Sequence, residues 1–362
     1  MSTEEKWMLE ALELARQGEG LTRPNPPVGA VIVKGGRKIG EGYHRRSGGL
    51  HAEVAAIRHA QEPVEGADIY VTLEPCSTLG RTPPCTDAII EAGIKRTIVS
   101  VEDPNPHHAG RGLEILRRAK IEVELGLCSE EAMRIKEPFA KWILTARPWV
   151  TLKLGMSADA RIADSRGRSK WITSAASRAR VQELRRKSDA IMVGADTALA
   201  DDPALTPRPA YGREPYRVVL DSRGRLPASL RIFRDGAVDR TIVATTAASP
   251  ADWRRKIELA GAQVWVLPSR GGRVSLKTLM KKLGEIGLLH VLCEGGGELA
   301  AALAEQGLID EYRLFSAPCL LGGAGRPAFG GGWPLSNKPE LEYLEYEELE
   351  GDLLIRARPR PR

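Results

Sequence analysis

Apolar residues recur along the chain at two alternating periods. Over residues 5–17, Met8, Leu9, Leu12 and Ala15 fall at helical spacing, which predicts an opening amphipathic helix. Residues 22–27, Thr-Arg-Pro-Asn-Pro-Pro, then exclude helix and sheet interior and predict an ordered loop. Short apolar runs at 28–33, 69–73 and 98–101 read as strands, and Gly35-Gly36 marks a turn after the first. Between and after them, 51–59, 85–91 and 113–119 read as helices, with Gly93 as a stop for the second. Alternation of this kind predicts an α/β layer with its ligand site at the carboxyl ends of strands.

The pattern breaks at residues 145–148 and restarts as a second α/β series, so we expect domains over 1–146 and 147–362. Strands are predicted at 149–154, 190–193, 216–220, 241–244, 264–267 and 289–293, and helices at 177–186 and 276–283. A length of 362 residues suits two domains of ordinary size. No apolar stretch reaches eighteen residues, and the N-terminal segment has no basic-then-apolar leader, which points to a cytoplasmic protein. The net charge of +6 raises a nucleic-acid reading. Part of that excess lies in the terminal run 356–362, expected to be a solvated, frayed tail. The remaining charge suits phosphorylated small molecules. Five cysteines without a leader suggest a reducing compartment, where such residues serve metal binding or catalysis. Cys128, Cys293 and Cys319 are expected to be reduced structural thiols.

The chemistry is concentrated in His51-Ala52-Glu53, Pro75-Cys76 and Pro84-Cys85. One imidazole and two thiolates can hold Zn2+ and leave the fourth tetrahedral position open, as a catalytic zinc requires. His51 and Cys85 stand at predicted helix starts, where the helix dipole favours thiolate. Glu53, two residues past a ligand, can carry protons without ligating. H-x-E with P-C-x-x-C is the signature of hydrolytic zinc deaminases, and here Cys76 and Cys85 are separated by eight residues in place of two.

With Thr22-x-Pro24-Asn25-Pro26-x-Val28-Gly29, Gly42-Tyr43-His44, Glu74-Pro75-Cys76, residues 81–85 (Arg-Thr-Pro-Pro-Cys), Asp103-Pro104-Asn105-Pro106 and Gly110-x-Gly112, the chain resembles the bifunctional deaminase–reductases of riboflavin biosynthesis. The long Cys76–Cys85 spacing is what that family shows. The resemblance continues through Lys153, Ser157-x-Asp159, Ser169-x-Trp171-Ile172-Thr173, Arg178, Arg185, Gly194-x-x-Thr197 and Asp201-Asp202-Pro203-x-Leu205. It implies a cytidine-deaminase-like α/β/α domain followed by a dihydrofolate-reductase-like α/β domain. The implied activities are zinc-dependent deamination of a phosphoribosylaminopyrimidine and NADPH-dependent reduction of its ribosyl group.

By the same resemblance His51, Cys76 and Cys85 are the metal ligands, Glu53 the proton carrier, and Asn25 and His44 line the pyrimidine pocket. From the residues alone, Asn25 could equally fix its turn and His44 could be a loop histidine. NADPH would contact Gly155, Trp171, Thr197, Asp201, Ser222 and the Gly295-Gly296-Gly297 turn. The substrate would contact Ser169, Arg185, Leu205, Arg208 and Glu294, with the two arginines as phosphate clamps. Lys153 is the candidate for opening the ribose. Taken by itself, the glycine turn, between the strand at 289–293 and a helix-like run at 298–305, reads as a tight connection or as a phosphate cradle. Three departures from the family stand out: Gly155 replaces its usual Ala, and Ala160 and Lys120 replace usual glycines. The expected partners are the phosphorylated substrate and further copies of the chain, with neither nucleic acid nor membrane. The competing reading is a zinc deaminase of another base, nucleoside or tRNA with a non-catalytic second domain.

Overall fold

The computed structural model describes residues 2–79, 83–210 and 212–360. Arg81 and Thr82 of the motif before Cys85, and the last two residues of the basic run, lie outside them. The chain divides into two compact units, 1–146 and 147–362. No helix among the described residues is long and apolar enough to cross a membrane.

The first unit runs α1 (Thr3–Arg16), β1 (Gly29–Lys34), β2 (Arg37–Tyr43), α2 (Ala52–Arg58), β3 (Asp68–Val71), α3 (Cys85–Glu91), β4 (Arg96–Val99), α4 (Arg111–Arg118), β5 (Glu122–Leu125) and α5 (Ser129–Thr145). Ser2 caps α1 and Glu5 returns the bond, a capping box that fixes where the chain enters the helix. The five strands are ordered β2-β1-β3-β4-β5, antiparallel around β1 and parallel from β3 to β5. Helices α1 and α5 contribute to one apolar cluster against this sheet (Met8, Leu12, Val31, Ile98, Ile135). Helices α2, α3 and α4 contribute to another (Ala52, Ile69, Ile89, Leu116). The sheet is thus buried on both faces, which is why β1, β3 and β4 read as continuous apolar runs. Strand β2 was not legible because its Gly40 and Gly42 carry no apolar signal. They are small for a reason: a Cβ on Gly42 would sit 2.5 Å from Ala56 N, so α2 lies directly on the strand.

The second unit runs β6 (Trp149–Ser157), β7 (Arg161–Ala163), α6 (Ala175–Lys187), β8 (Ala190–Gly194), α7 (Ala195–Asp201), β9 (Tyr216–Leu220), β10 (Thr241–Thr245), α8 (Ala251–Leu259) and β11 (Gln263–Val266). It continues with β12 (Ser269–Arg270), β13 (Arg273–Val274), α9 (Leu276–Glu285), β14 (His290–Cys293), α10 (Gly297–Glu305), β15 (Glu311–Ala317), β16 (Arg326–Pro327), β17 (Leu341–Leu349) and β18 (Asp352–Pro359). Nine strands make one sheet in the order β11-β10-β9-β8-β14-β6-β15-β18-β17. The pairs from β11 to β15 are parallel, and β18 and β17 return antiparallel. All six strands expected here are present, whereas β15, β17 and β18 were unforeseen.

The terminal run corrects one expectation. Arg356 and Arg358 belong to β18, and Arg356 is buried against Glu311 at 2.8 Å and Glu345 at 3.1 Å. A cation expected in a frayed tail is in fact half of a buried pair, because the strand returns to the sheet.

Two of the three departures have a backbone meaning. Lys120 and Ala160 hold left-handed conformations, φ +66° and +56°, where a side chain costs about 1–2 kcal/mol and glycine almost nothing. Ala160→Gly and Lys120→Gly should therefore each raise stability, by up to about 1 kcal/mol after the extra entropy of an unfolded glycine is subtracted. Urea unfolding at unchanged slope would read this directly, and a lower midpoint would contradict it. Gly155, by contrast, lies in β6 outside that region, and a Cβ there would meet Thr173 at an ordinary 3.4 Å.

Candidate active sites

In the first unit the sheet and two helix starts converge on three donors. His51 is the N-cap of α2, Cys85 the first residue of α3, and Cys76 lies in the segment after β3. His51 Nδ1 is 3.2 Å from Cys85 Sγ and 3.4 Å from Cys76 Sγ, and all three donor atoms lie within 4.8 Å of one another. A zinc tetrahedron with ordinary bond lengths has N–S edges of about 3.6 Å, so the donor set fits Zn2+ by chemistry and by spacing.

The Cys85 backbone N–H donates to Cys76 Sγ at 3.3 Å, placing that sulfur at the positive end of α3. A hydrogen bond from the Cys85 thiol, against the opposing effect of burial and aided by His51, brings the Cys76 thiol down to about 4. Cys85 is pushed up in return by the hydrogen bond it gives to Cys76 and by burial.

Glu53 is buried, and desolvation, reinforced by the Cys76 thiolate, pushes it up to about 7. A bound cation adds the opposite pull. A carboxyl poised near neutrality can both accept and return a proton. Next to it, His44 is buried with its ring edge-on to His51, centroids 5.2 Å apart. Its Nδ1–H donates to Leu50 O at 2.9 Å, which leaves Nε2 to accept from Asn25 Nδ2 at 3.1 Å. Asn25 and His44 are thus one fixed unit beside the metal donors, and Asn25 keeps its Oδ1 and the second Nδ2–H to read a ligand. Burial holds the His44 imidazole below its usual value, hence neutral, as this tautomer requires.

Glu74 is a residue whose part was not foreseen. Buried, it accepts from the backbone N–H groups of Asp103 at 3.1 Å, Gly110 at 2.9 Å and Gly112 at 2.8 Å, and so pins the segment carrying Cys76 to the start of α4. A Cβ on Gly112 would lie 2.2 Å from Pro75 O. Gly112→Ala should therefore displace Pro75-Cys76 and lower zinc retention at least tenfold under a chelator challenge, a loss typical of disturbed supporting contacts. Unchanged zinc retention would show that the segment yields without moving Cys76.

The second unit holds a cleft of about 2350 Å³ at the carboxyl ends of the parallel strands, where open α/β sheets place their ligands. Of the residues expected there, Lys153, Gly155, Ser169, Trp171, Thr197, Asp201, Ser222, Arg185, Leu205, Arg208, Glu294, Gly296 and Gly297 all line it. Gly295 is not among the lining residues, although its carbonyl accepts a long 3.5 Å bond from Thr197. Gly295 and Gly296 both have φ +90°, a Cβ on Gly296 would fall 3.0 Å from Thr197 Oγ1, and no side chain caps α10. The turn therefore presents bare backbone to the cleft, a cradle suited to a pyrophosphate.

At the cleft floor Arg185 Nε and Nη2 reach Glu294 at 2.5 and 2.9 Å, Arg185 Nη1 donates to Thr206 O, and Lys153 Nζ lies 3.8 Å from Glu294. Burial alone would raise Glu294, but the two cations prevail and hold it at about 2. This differs from the expected phosphate clamp: the Nε–Nη2 edge of Arg185 is committed to a carboxylate. Arg208 is exposed and tethered through its backbone: its N–H donates to Gln182 Oε1 at 2.8 Å and its carbonyl accepts from Arg186 at 3.4 Å. Trp171 is 69% exposed with Arg178 stacked 4.6 Å from its ring, an open platform for a planar ligand.

Fold and site together define a zinc-type deaminase domain joined to a second α/β domain with a ligand cleft at the carboxyl ends of its parallel strands. Residues 1–101 match the cytidine and deoxycytidylate deaminase zinc-binding region, and residues 148–355 match the RibD C-terminal domain. The chain is 44% identical to riboflavin biosynthesis protein RibD of Actinobacillus pleuropneumoniae, covering 98% of this chain and 94% of that one. Its identity to the Escherichia coli RibD is 41%, over 97% and 98%. Among solved structures, Acinetobacter baumannii RibD superposes with a TM-score of 0.89 at 39% identity, covering 99% of each chain. A Thermotoga maritima diaminohydroxyphosphoribosylaminopyrimidine deaminase/5-amino-6-(5-phosphoribosylamino)uracil reductase gives 0.88 at 38%, also over 99% of each. The chain belongs to the RibD family, the bifunctional deaminase–reductases of riboflavin biosynthesis. The match over 148–355 sets aside a non-catalytic second domain.

Proposed function

We propose that the first unit deaminates 2,5-diamino-6-(5-phosphoribosylamino)pyrimidin-4-one by hydrolysis, and that the second reduces the ribosyl group of the product to ribityl with NADPH. The observation that carries the reading is the buried Glu53 carboxyl beside the three-donor cluster His51, Cys76 and Cys85. When bound there, Zn2+ supplies Lewis acidity that brings water to a pKa near ~7. Glu53 would take one proton from the attacking water as its oxygen bonds to the ring carbon and pass it to the ring nitrogen; it would then carry the remaining hydroxyl proton to the amine as the C–N bond breaks and the carbonyl forms. Water and the amino compound thus become the carbonyl and ammonia. Asn25 Oδ1 orients the pyrimidine edge, and neutral His44 fixes Asn25.

In the second unit NADPH supplies the hydride. The turn formed by Gly295, Gly296 and Gly297 would hold its pyrophosphate, and Gly155, Trp171, Thr197, Asp201 and Ser222 would hold the rest. Lys153, held by Glu294, gives a proton to the ribose ring oxygen and so opens the sugar for reduction at its anomeric carbon. Ser169, Leu205, Arg208 and Glu294 hold the substrate, and Arg185 acts chiefly through Glu294. We further propose that the protein is cytoplasmic, self-associates and binds neither nucleic acid nor membrane.

The test follows ammonia release and NADPH oxidation together on the zinc-loaded protein. Ammonia without NADPH, and NADPH consumption only after deamination, support the order. Ammonia release with no oxidation, even of supplied deaminated intermediate, would leave the reductase assignment without support.

A further inference from the structure

Four of the arginines that line the cleft in the second unit, Arg223, Arg225, Arg270 and Arg273, lie on the turn after β9 and on the β12–β13 hairpin or directly beside them. Two are spent on carboxylates: Arg225 reaches Asp196 at 2.7 Å, and Arg273 reaches Glu298 at 2.8 Å. The side chains of Arg223 and Arg270 are exposed and have no ion-pair partner among the described residues.

The fold brings together the two backbone segments that carry these cations. Arg223 follows Ser222 in the turn after β9, and Arg270 ends β12 in the β12–β13 hairpin, whose tip is Gly271-Gly272 with φ +58° and +73°. Ser222 Oγ accepts from Val274 N at 3.0 Å, which joins that turn to the base of the hairpin. Arg223 is one residue from the acceptor, and Arg270 is one residue from Ser269, the hairpin partner of Val274.

The sheet order says which end of a dinucleotide these segments meet. The glycine turn follows β14, and β8 lies between β14 and β9. The Ser222 turn is therefore two strand spacings, about 10 Å, from the pyrophosphate cradle. It is on the side away from β6, which carries Lys153. With the reacting end at Lys153 and Glu294, the opposite end is the adenosine half. A ribose phosphate about 10 Å beyond the pyrophosphate is where an unspent pair of guanidinium forks has a use.

We infer that Arg223 and Arg270 clamp the 2′-phosphate of the bound dinucleotide and so make this reductase selective for NADPH over NADH. The inference rests on the cofactor reading above and adds the residues that discriminate. Ser222 joins the two elements that carry the clamp, and the paired Arg225 and Arg273 hold the turn and hairpin in place.

The test is titration of the zinc-loaded full-length protein with NADP+ and with NAD+, followed by calorimetry, for the wild type, Arg223→Ala, Arg270→Ala and the double variant. Losing one charge-assisted fork should weaken NADP+ by about tenfold to a hundredfold. NAD+ affinity should stay unchanged, and the double variant should bind the two alike. The salt dependence of NADP+ binding should flatten in step, and Arg270→Lys should restore part of the preference. An equal weakening of NAD+ and NADP+, or unchanged NADP+ affinity, would overturn the clamp while leaving the cofactor site standing. Failure of the wild type to bind either dinucleotide would overturn the clamp together with the cofactor reading. Both side chains are exposed, so unchanged thermal unfolding should accompany every variant.

Discussion

Replacing Glu53 by glutamine is expected to reduce ammonia release by about a thousandfold or more while leaving zinc content and reduction of the deaminated intermediate unchanged. The replacement keeps the shape of a fully buried side chain but removes its ability to take a proton. General acid–base catalysis is worth about 10² to 10⁴ in rate, and here a single group serves both transfers, so the larger figure applies. Zinc should stay because the ligating atoms belong to His51, Cys76 and Cys85, with Glu53 outside the cluster. Metal analysis separates the outcomes. Lost zinc together with lost activity would make Glu53 a structural support of the site, and full activity with zinc present would remove it from the mechanism.

The second large effect is expected at Glu294. Its folded pKa, about 2 against an ordinary 4.5, is depressed. The stabilisation is therefore fully present above pH 4.5 and is lost as pH falls from 4.5 through 2. A depression of that size corresponds to about 3 kcal/mol. Glu294→Gln removes it at every pH and leaves the Arg185 cation buried without a counter-charge, a defect of about 3–5 kcal/mol. Neutral-pH melting of the second unit should fall by roughly 6–20 °C for a domain of this size. The steep acid-unfolding slope between pH 4.5 and 2 should become shallower in the variant. Reduction should fail because Lys153 loses its anchor, while ammonia release from the first unit continues. An unchanged acid profile would show that the Glu294–Arg185 pair does not set the stability of the cleft.

The zinc cluster is legible in the sequence because its chemistry is local. A histidine, two cysteines and a glutamate at a fixed offset are uncommon together. The helix starts that hold His51 and Cys85 also follow from short-range pattern. The buried strands β3, β4, β8 and β14 are legible for a related reason, since strands covered on both faces are continuous apolar runs. Strand β17 gives no such signal: it is the edge strand of its sheet, and its outward residues, among them Tyr343, Glu345 and Tyr346, remain exposed.

By itself, then, the sequence determined the α/β class of each half, the three residues that cluster as candidate metal donors, the glutamate buried beside them and most of the expected residues that line the second unit's cleft. Tertiary structure alone decided which charges meet. Arg185 is 109 positions from Glu294, and Arg356 is 45 from Glu311. Sheet order brings each pair together, and no local periodicity encodes sheet order. It also decided that Glu74 braces the start of α4, that Asn25 and His44 form one unit, and that Ala160 bears a left-handed backbone. Periodicity reports which face of an element is buried; the partner across that face is set by loop closure and strand pairing, which act between residues far apart in the chain.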